Sequence, residues 1–404
     1  MTRRRSVYLD NAAATPVDQR VFEAMWPYFY EHCGNPSALY SEAQISNSAL
    51  DDSRRTIAEI LRARPGNIIF TSGGTESNNL AIFGVARAHV KHGKHIITVA
   101  AEHHSVLEPL VQLKKEGWKI TILPVDKNGF IKTEDVVKTI RPDTALISIM
   151  YANNEIGAIQ PIAEIGRQIS HYRKEKGSVY PFFHSDACQA AGRLDLDVEK
   201  LHVDLMSVNG SKIYGPKGAG FLYARHGVDL EPIMFGGSQE RHRRAGTENV
   251  PGIVGLAKAL ELVHLLIPPF SIRGRGGVSP LDRQRQLTQY FFVKLRKLVP
   301  NLQLNGPEIG ERRLPNNLNV VFPGVDGEAL VIYLDSYGVM CSTGSACTAE
   351  SREPSQVLKA IGKTQAEIFS SVRFTLGKGT TKLDIDYTIQ SLQKALKLAV
   401  KLSK

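Results

Sequence analysis

At 404 residues the chain exceeds what one typical hydrophobic core supports, so length predicts two domains or one large α/β unit with an appendage. Its 42% hydrophobic and 22% charged residues are those of an ordinary globular protein, and no segment approaches a membrane span. Four cysteines cannot form a disulfide framework in so long a chain, and positions 33, 188, 341 and 347 match no zinc spacing, which fits a reducing cytoplasm. The formal charge is +10, but apart from RRR at 3–5 and RHRR at 241–244 the positives are scattered. That pattern favours a basic surface over direct nucleic-acid binding. MTRRRSVYLD starts with positive charge but carries no apolar run behind it, unlike a signal peptide.

In chain order, strand-length apolar runs alternate with amphipathic helical stretches. IIFTS (68–72) precedes a helical pattern from Glu76, and HIITVA (95–100) precedes another from Ser105. WKITILPV, the helical TEDVVKTI, ALISIMYA, the helix PIAEIGRQISHYRKEK and YPFFHSDA follow. This βαβα rhythm predicts an α/β fold, a largely parallel sheet covered by helices on both faces, with ligands at the carboxyl ends of the strands. His89, His92 and His95 are expected on a polar helix end, solvated. After about residue 265 the text changes. PPFSIRGRGGVSP (268–280) reads as an exposed insertion or linker. A helix over 281–298, strands near LNVVF and SVRFTL, and a closing amphipathic helix SLQKALKLAVKLSK predict a smaller α+β unit.

The residues suited to chemistry sit just after strands. In TSGGTESNN (71–79), Gly73 and Gly74 permit a tight turn whose free amides can hold an anion, with Thr75 adding a hydroxyl; a simple capping turn would look the same. Asp186 in HSDACQAAG ends an apolar strand and needs a cation or a set of donors, unless it only caps the turn that follows. Cys188 beside it reads as a small buried side chain. Lys212 lies between small residues and a glycine-rich turn in SVNGSKIYGPKGAG, a setting for a lysine that approaches a ligand and forms a Schiff base. His103 in AEHHSV has no carboxylate or cysteine at helical ligand spacing, so an aromatic platform is favoured over a metal ligand, with a helix start as the alternative. Together these groups ask for a phosphorylated, planar, cationic ring bearing an aldehyde, which is pyridoxal 5'-phosphate. STGSACTAES (342–351) is small and polar, and carries the single thiol of Cys347. Cys341 just upstream reads as a buried residue at a helix end or a second stop for the same chemistry.

The ordered motifs YLDNAAATPVD (8–18), GNPS (34–37), FTSGGTESNNLAI (70–82), NNEIGAIQP (153–161), HSDACQAAG, KIYGPKGAG, RAGTEN (244–249), GSACTAESREPS (344–355) and SVRFTLG (371–377) resemble the cysteine desulfurases. These are class V members of the fold-type I pyridoxal-phosphate enzymes, and GSACT resembles their group with a long catalytic-cysteine loop. The resemblance implies a large cofactor-binding domain over 16–265, and a smaller domain of 1–15 with 266–404 that carries the loop at about 341–355. It implies Lys212 as Schiff-base lysine and mover of the α-proton, Asp186 on the ring nitrogen and Gln189 on the ring's phenolic oxygen. His103 would stack on the ring. Gly74 and Thr75 would hold the phosphate, with Thr247 reaching it from a neighbouring subunit of a homodimer. Asn154 and Arg373 would grip the α-carboxylate of L-cysteine. Cys347 would take the sulfur as a persulfide and pass it to an acceptor protein for iron–sulfur cluster assembly or tRNA thiolation.

Three departures stand out. The family's usual Ser-Gly-His-Lys is here Asn209-Gly210-Ser211-Lys212, which predicts rearranged phosphate binding through Asn209 and Ser211. RGRGGVSP looks longer than usual, and the long tail with which some members dock a scaffold is not expected. A selenocysteine lyase and a class V aminotransferase are rival enzymes. A cofactor-binding sulfur-trafficking scaffold and a tRNA-binding module are rivals without turnover.

Overall fold

The computed structural model describes residues 5–267, 279–343 and 354–402. The strands in chain order are β1 (Val7–Tyr8), β2 (Ile68–Thr71), β3 (His95–Val99), β4 (Lys119–Leu123), β5 (Thr144–Ser148), β6 (Phe182–Asp186), β7 (Leu205–Asn209) and β8 (Gly220–Ala224). Then come β9 (Gln303–Leu304), β10 (Asn317–Val321), β11 (Val339–Met340) and β12 (Ser371–Thr375). Strands β2 to β8 form a seven-stranded sheet in the order β2-β8-β7-β6-β5-β3-β4. Only β8 is antiparallel to its neighbours, so the carboxyl ends of the other six strands share one edge.

Adjacent residues of each central strand enter opposite cores. Ile97, Ile147, Phe183, Met206 and Phe221 pack with the helices Ser41–Leu61 and Val250–His264. Their immediate neighbours Ile96, Leu146, Phe182, Leu205 and Leu222 pack with the helices Gly74–Ala88 and His104–Lys115. Strands covered on both faces must be apolar at consecutive positions, which is the continuous pattern their sequences show. Each fully buried side chain of this size contributes roughly 1.5–3 kcal/mol. A polar residue at either face would therefore cost a layer of packing.

The second sheet is antiparallel in the order β12-β10-β9, and β1 pairs in parallel with β11. Its core joins Val7 and Leu9 to Phe291, Leu318, Val320 and Phe374, and to Ile385 and Leu392 of the helix Lys382–Leu402. The first residues of the chain thus complete a core built mainly from its last third. Ser279 caps the helix Pro280–Leu298 by accepting from the Asp282 amide, whereas 268–278 lie outside the described residues. Among the described residues no helix is long and apolar enough to cross a membrane.

The histidine cluster differs from expectation. His95 opens β3, is buried, and holds the hydroxyls of Thr144 and Thr121 at 2.8 Å each. Burial pushes its pKa down to about 4. His89 is also buried, 2.9 Å from the Tyr180 hydroxyl, and His92 stacks on the Tyr180 ring at 3.6 Å. None of the three is simply solvated. A polarity pattern counts imidazole as exposed, but a ring whose nitrogens find hydroxyl partners buries at little cost.

Candidate active site

Five strand ends of the large sheet converge on one cleft. Its lining includes Gly74, Thr75, His103, Asn154, Asp186, Gln189, Asn209, Lys212 and Arg373. After β2, Gly73 caps the helix Gly74–Ala88 at φ +148°, a conformation that side-chain-bearing residues rarely adopt. A Cβ on Gly74 would lie 2.5 Å from the Cys188 Sγ, so only glycine lets the helix start come this close to the turn after β6. The fifteen-residue helix presents its unpaired first amides there, a place suited to an anion. Asn209 ends β7 beside them. Its Oδ1 accepts from both the amide and the hydroxyl of Ser211 at 3.1 Å, so the Ser211 proton is committed to Asn209 and the Asn209 amide nitrogen is the donor left over.

Asp186 is buried at the end of β6. Its Oδ1 accepts from the Cys188 amide at 2.9 Å and its Oδ2 from Asn78 at 2.8 Å. It both caps its own turn and keeps a carboxylate in the cleft. Lys212 follows β7, the parallel neighbour of β6, and its Nζ donates to the Ala13 carbonyl. His103 caps the helix His104–Lys115. Its Nδ1 accepts from the Ser105 amide at 3.1 Å, which places the proton of the neutral ring on Nε2. Burial lowers its pKa, although Asp186 pulls the other way. A helix start for phosphate, a carboxylate and an imidazole for a ring, and an amine for an aldehyde make a donor set that fits a phosphorylated pyridine aldehyde.

The second sheet closes the cleft. Arg373 on β12 lies opposite Asn319 of β10, and its backbone bridges to Ser342. Its guanidinium donates to the Asp10 carboxylate at 2.8 Å and to the Asn154 carbonyl at 3.1 Å. Glu155 reaches Ser355 with its Oε2 at 2.5 Å, and Ser355 in turn caps the helix Gln356–Ala360. Gln356 donates to the Glu102 carbonyl at 3.0 Å. The two flanks of 344–353 are thereby attached to the walls of the cleft.

The aminotransferase class-V family matches residues 7–388. A cysteine desulfurase IscS of Dictyoglomus turgidum is 46% identical over 393 residues, covering 97% of this chain and 95% of that protein. A cysteine desulfurase of Rattus norvegicus is 42% identical, covering 96% of this chain and 82% of its own. The chain belongs to the cysteine desulfurases of class V. Among solved structures, a NifS-like protein superposes with a TM-score of 0.87 at 35% identity, covering 98% of this chain and all of that one. SspA in complex with cysteine gives 0.78 at 35% identity, covering 93% of this chain.

Within this desulfurase fold, not every expected residue meets the cleft. Thr247, expected to reach a neighbouring subunit's cleft, is exposed and is not among the described residues that line its own. Ser211 touches it only through Asn209. Cys347 lies outside the described residues. Cys341 follows β11 and ends no helix, a correction to its expected place; it is partly buried, and burial raises its thiol pKa. Cys188 is buried with its thiol pKa pushed far up by desolvation, then by Asp186. Residue-by-residue reading missed Asn78, Asp10, Glu102 and Glu155. Asn78 stands one helical turn beyond Gly74, a spacing that puts both on one face. Glu102 is fully buried, accepts from the Met150 amide at 2.6 Å, and has its carboxyl pKa raised far by burial, then by Asp186. No comparable local signal marked Glu102.

Proposed function

We propose that the protein converts L-cysteine to L-alanine with pyridoxal 5'-phosphate as cofactor, leaving the substrate's sulfur on Cys347 as a persulfide. The observation that carries this reading is the meeting of Lys212, Asp186 and His103 with Arg373 in one cleft of a class V desulfurase. When bound, the cofactor supplies an electron sink for the charge developing at the substrate's α-carbon.

The chain's residues do the rest. The first amides of the helix Gly74–Ala88, with Thr75 and Asn209, would hold the phosphate, and Asp186 would keep the ring nitrogen protonated while Gln189 would bond the phenolic oxygen. Asn78 and the Cys188 amide hold that carboxylate in place. His103, neutral because it is buried, offers a flat face and an Nε2 proton. Lys212 removes the α-proton. Arg373, oriented by Asp10, receives the substrate carboxylate together with Asn154. The Cys347 thiolate bonds to the substrate Sγ as the Cβ–Sγ bond breaks; Cβ then gains a proton and Lys212 returns one to the α-carbon, giving alanine and a persulfide.

The reading includes a homodimer, a large domain over 16–265 that holds the cofactor, and sulfur transfer to an acceptor protein of iron–sulfur assembly or tRNA thiolation in a reducing cytoplasm. Trp26, Phe29, Tyr30 (82%) and Leu39 (95%) are exposed large apolar side chains of the kind a second copy covers, and exposed Thr247 is available to that copy's cleft. Free Cys33, Cys188 and Cys341 suit a reducing compartment.

Mass spectrometry after incubation with L-cysteine tests the central step. One extra sulfur is expected on the peptide carrying Cys347, and Cys347→Ala should retain the bound cofactor's absorbance but form no alanine from cysteine. Undiminished alanine formation by that variant would refute the proposal.

A further inference from the structure

A second cavity shares Lys212 with the cleft and is otherwise separate from it. Its described lining holds Arg193, Lys212, Arg283 and Lys378 and no carboxylate. Lys378 is neutralised by Asp18. Among the described residues no carboxylate forms an ion pair with Arg193.

The other buried arginines provide an internal control. Arg54 is paired with Glu240 at 2.6 Å, Arg173 with Asp204, and Arg373 with Asp10 at 2.8 Å. Arg313 donates to the carbonyls of Asn305 and Asn317 at 3.0 Å, and to the Asn317 side chain at 3.1 Å. Arg193 is 7% exposed, yet among the described residues its guanidinium has one long bond, 3.4 Å to the Gln189 carbonyl, and its Nε has no partner. Burial accordingly disfavours its charge, with only the Tyr214 hydroxyl group opposing that effect. An enclosed cation whose Nε finds no partner among the described residues is costly unless an anion completes it. Val263, Leu266 and Leu287 give the cavity an apolar stretch of wall, beside the polar Gln284 and Thr380.

We propose that this cavity binds a small carboxylate with a short aliphatic body. The carboxylate sits on the Arg193 fork, a geometry that a planar two-oxygen anion matches with parallel hydrogen bonds. The aliphatic part lies against Val263, Leu266 and Leu287, and exposed Arg283 adds attraction at the mouth. The site is distinct from the substrate clamp, which uses Arg373.

Fluorine NMR of trifluorobutyrate added to the cofactor-loaded full-length protein in chloride-free buffer tests the site. Saturable line broadening is expected, with the neutral trifluorobutyramide at least about tenfold weaker. Arg193→Gln should weaken trifluorobutyrate by about tenfold or more while the bound cofactor's absorbance is unchanged, and Arg283→Gln by about threefold. Arg373→Gln should leave this binding intact, which separates the cavity from the cleft. Equal binding of the amide, loss of binding in Arg373→Gln, or unchanged affinity in Arg193→Gln or Arg283→Gln would overturn the proposal. Tighter competition by inorganic phosphate than by trifluorobutyrate would overturn the carboxylate assignment. Should Arg193→Gln fail to fold, the amide comparison and Arg283→Gln decide the question alone.

Discussion

The edge of the large sheet and strand β12 of the small sheet contribute to one cleft in different ways. At the large sheet the candidate site's side chains are delivered by strand ends: Asp186 by β6, Asn209 and Lys212 by β7, and His103 a few residues beyond β3. The geometry is set within a few residues of the group it positions. Arg373 lies within β12, and its orientation comes from Asp10 and Asn154, which are 363 and 219 residues away in sequence. The first region can be assembled by one sheet, whereas the second requires that both units already be packed together.

The comparison predicts different signatures for damage on its two sides. The largest effect is expected for Lys212→Ala, which should lose both the visible absorbance of bound cofactor and at least about a thousandfold in desulfurase turnover. Retained absorbance would show that another lysine serves the large-sheet side. Arg373→Gln should lose roughly a hundredfold in kcat/KM for L-cysteine, the scale of a charge-assisted carboxylate pair, with absorbance kept. Loss of both signals together would erase the distinction between the regions.

A smaller effect concerns acid. His184 is fully buried in β6 between the hydroxyls of Ser148 and Ser207. Burial lowers its pKa from 6.5 to about 4. The unfolded chain therefore binds this proton first, and stability falls as pH drops from 6.5 toward 4, by about 1.4 kcal/mol per pH unit or on the order of 3 kcal/mol in all. The buried histidines of the described chain, His89, His95 and His184, all belong to the large unit. Amide exchange at pH 5 should thus lose protection in β5, β6 and β7 before β10 and β12. Equal loss in both sheets, or no change of the acid slope in His184→Gln, would remove histidine as the cause.

Much of the site was legible because its residues follow strands directly. The apolar run ending at Asp186 announced where the carboxylate would emerge, small residues and a glycine-rich turn around Lys212 announced a lysine close to a ligand, and two glycines before a helix announced an anion site. The solvated reading of His95 failed because its partners, Thr144 and Thr121, sit on other strands. Asn78 was inside a quoted motif, but nothing in that motif names Asp186, 108 residues on, as its acceptor. The amino-acid sequence by itself determined the strand and helix rhythm, the two apolar faces of the sheet and the chemical identity of the groups at its edge, because those depend on neighbours a few residues apart. The tertiary structure alone decided that Val7 and Leu9 complete the core of the last third, that Asp10 orients Arg373, and that Arg193 is enclosed with no counter-charge among the described residues. Such relations depend on which surfaces pack together, and no local pattern of residues records that.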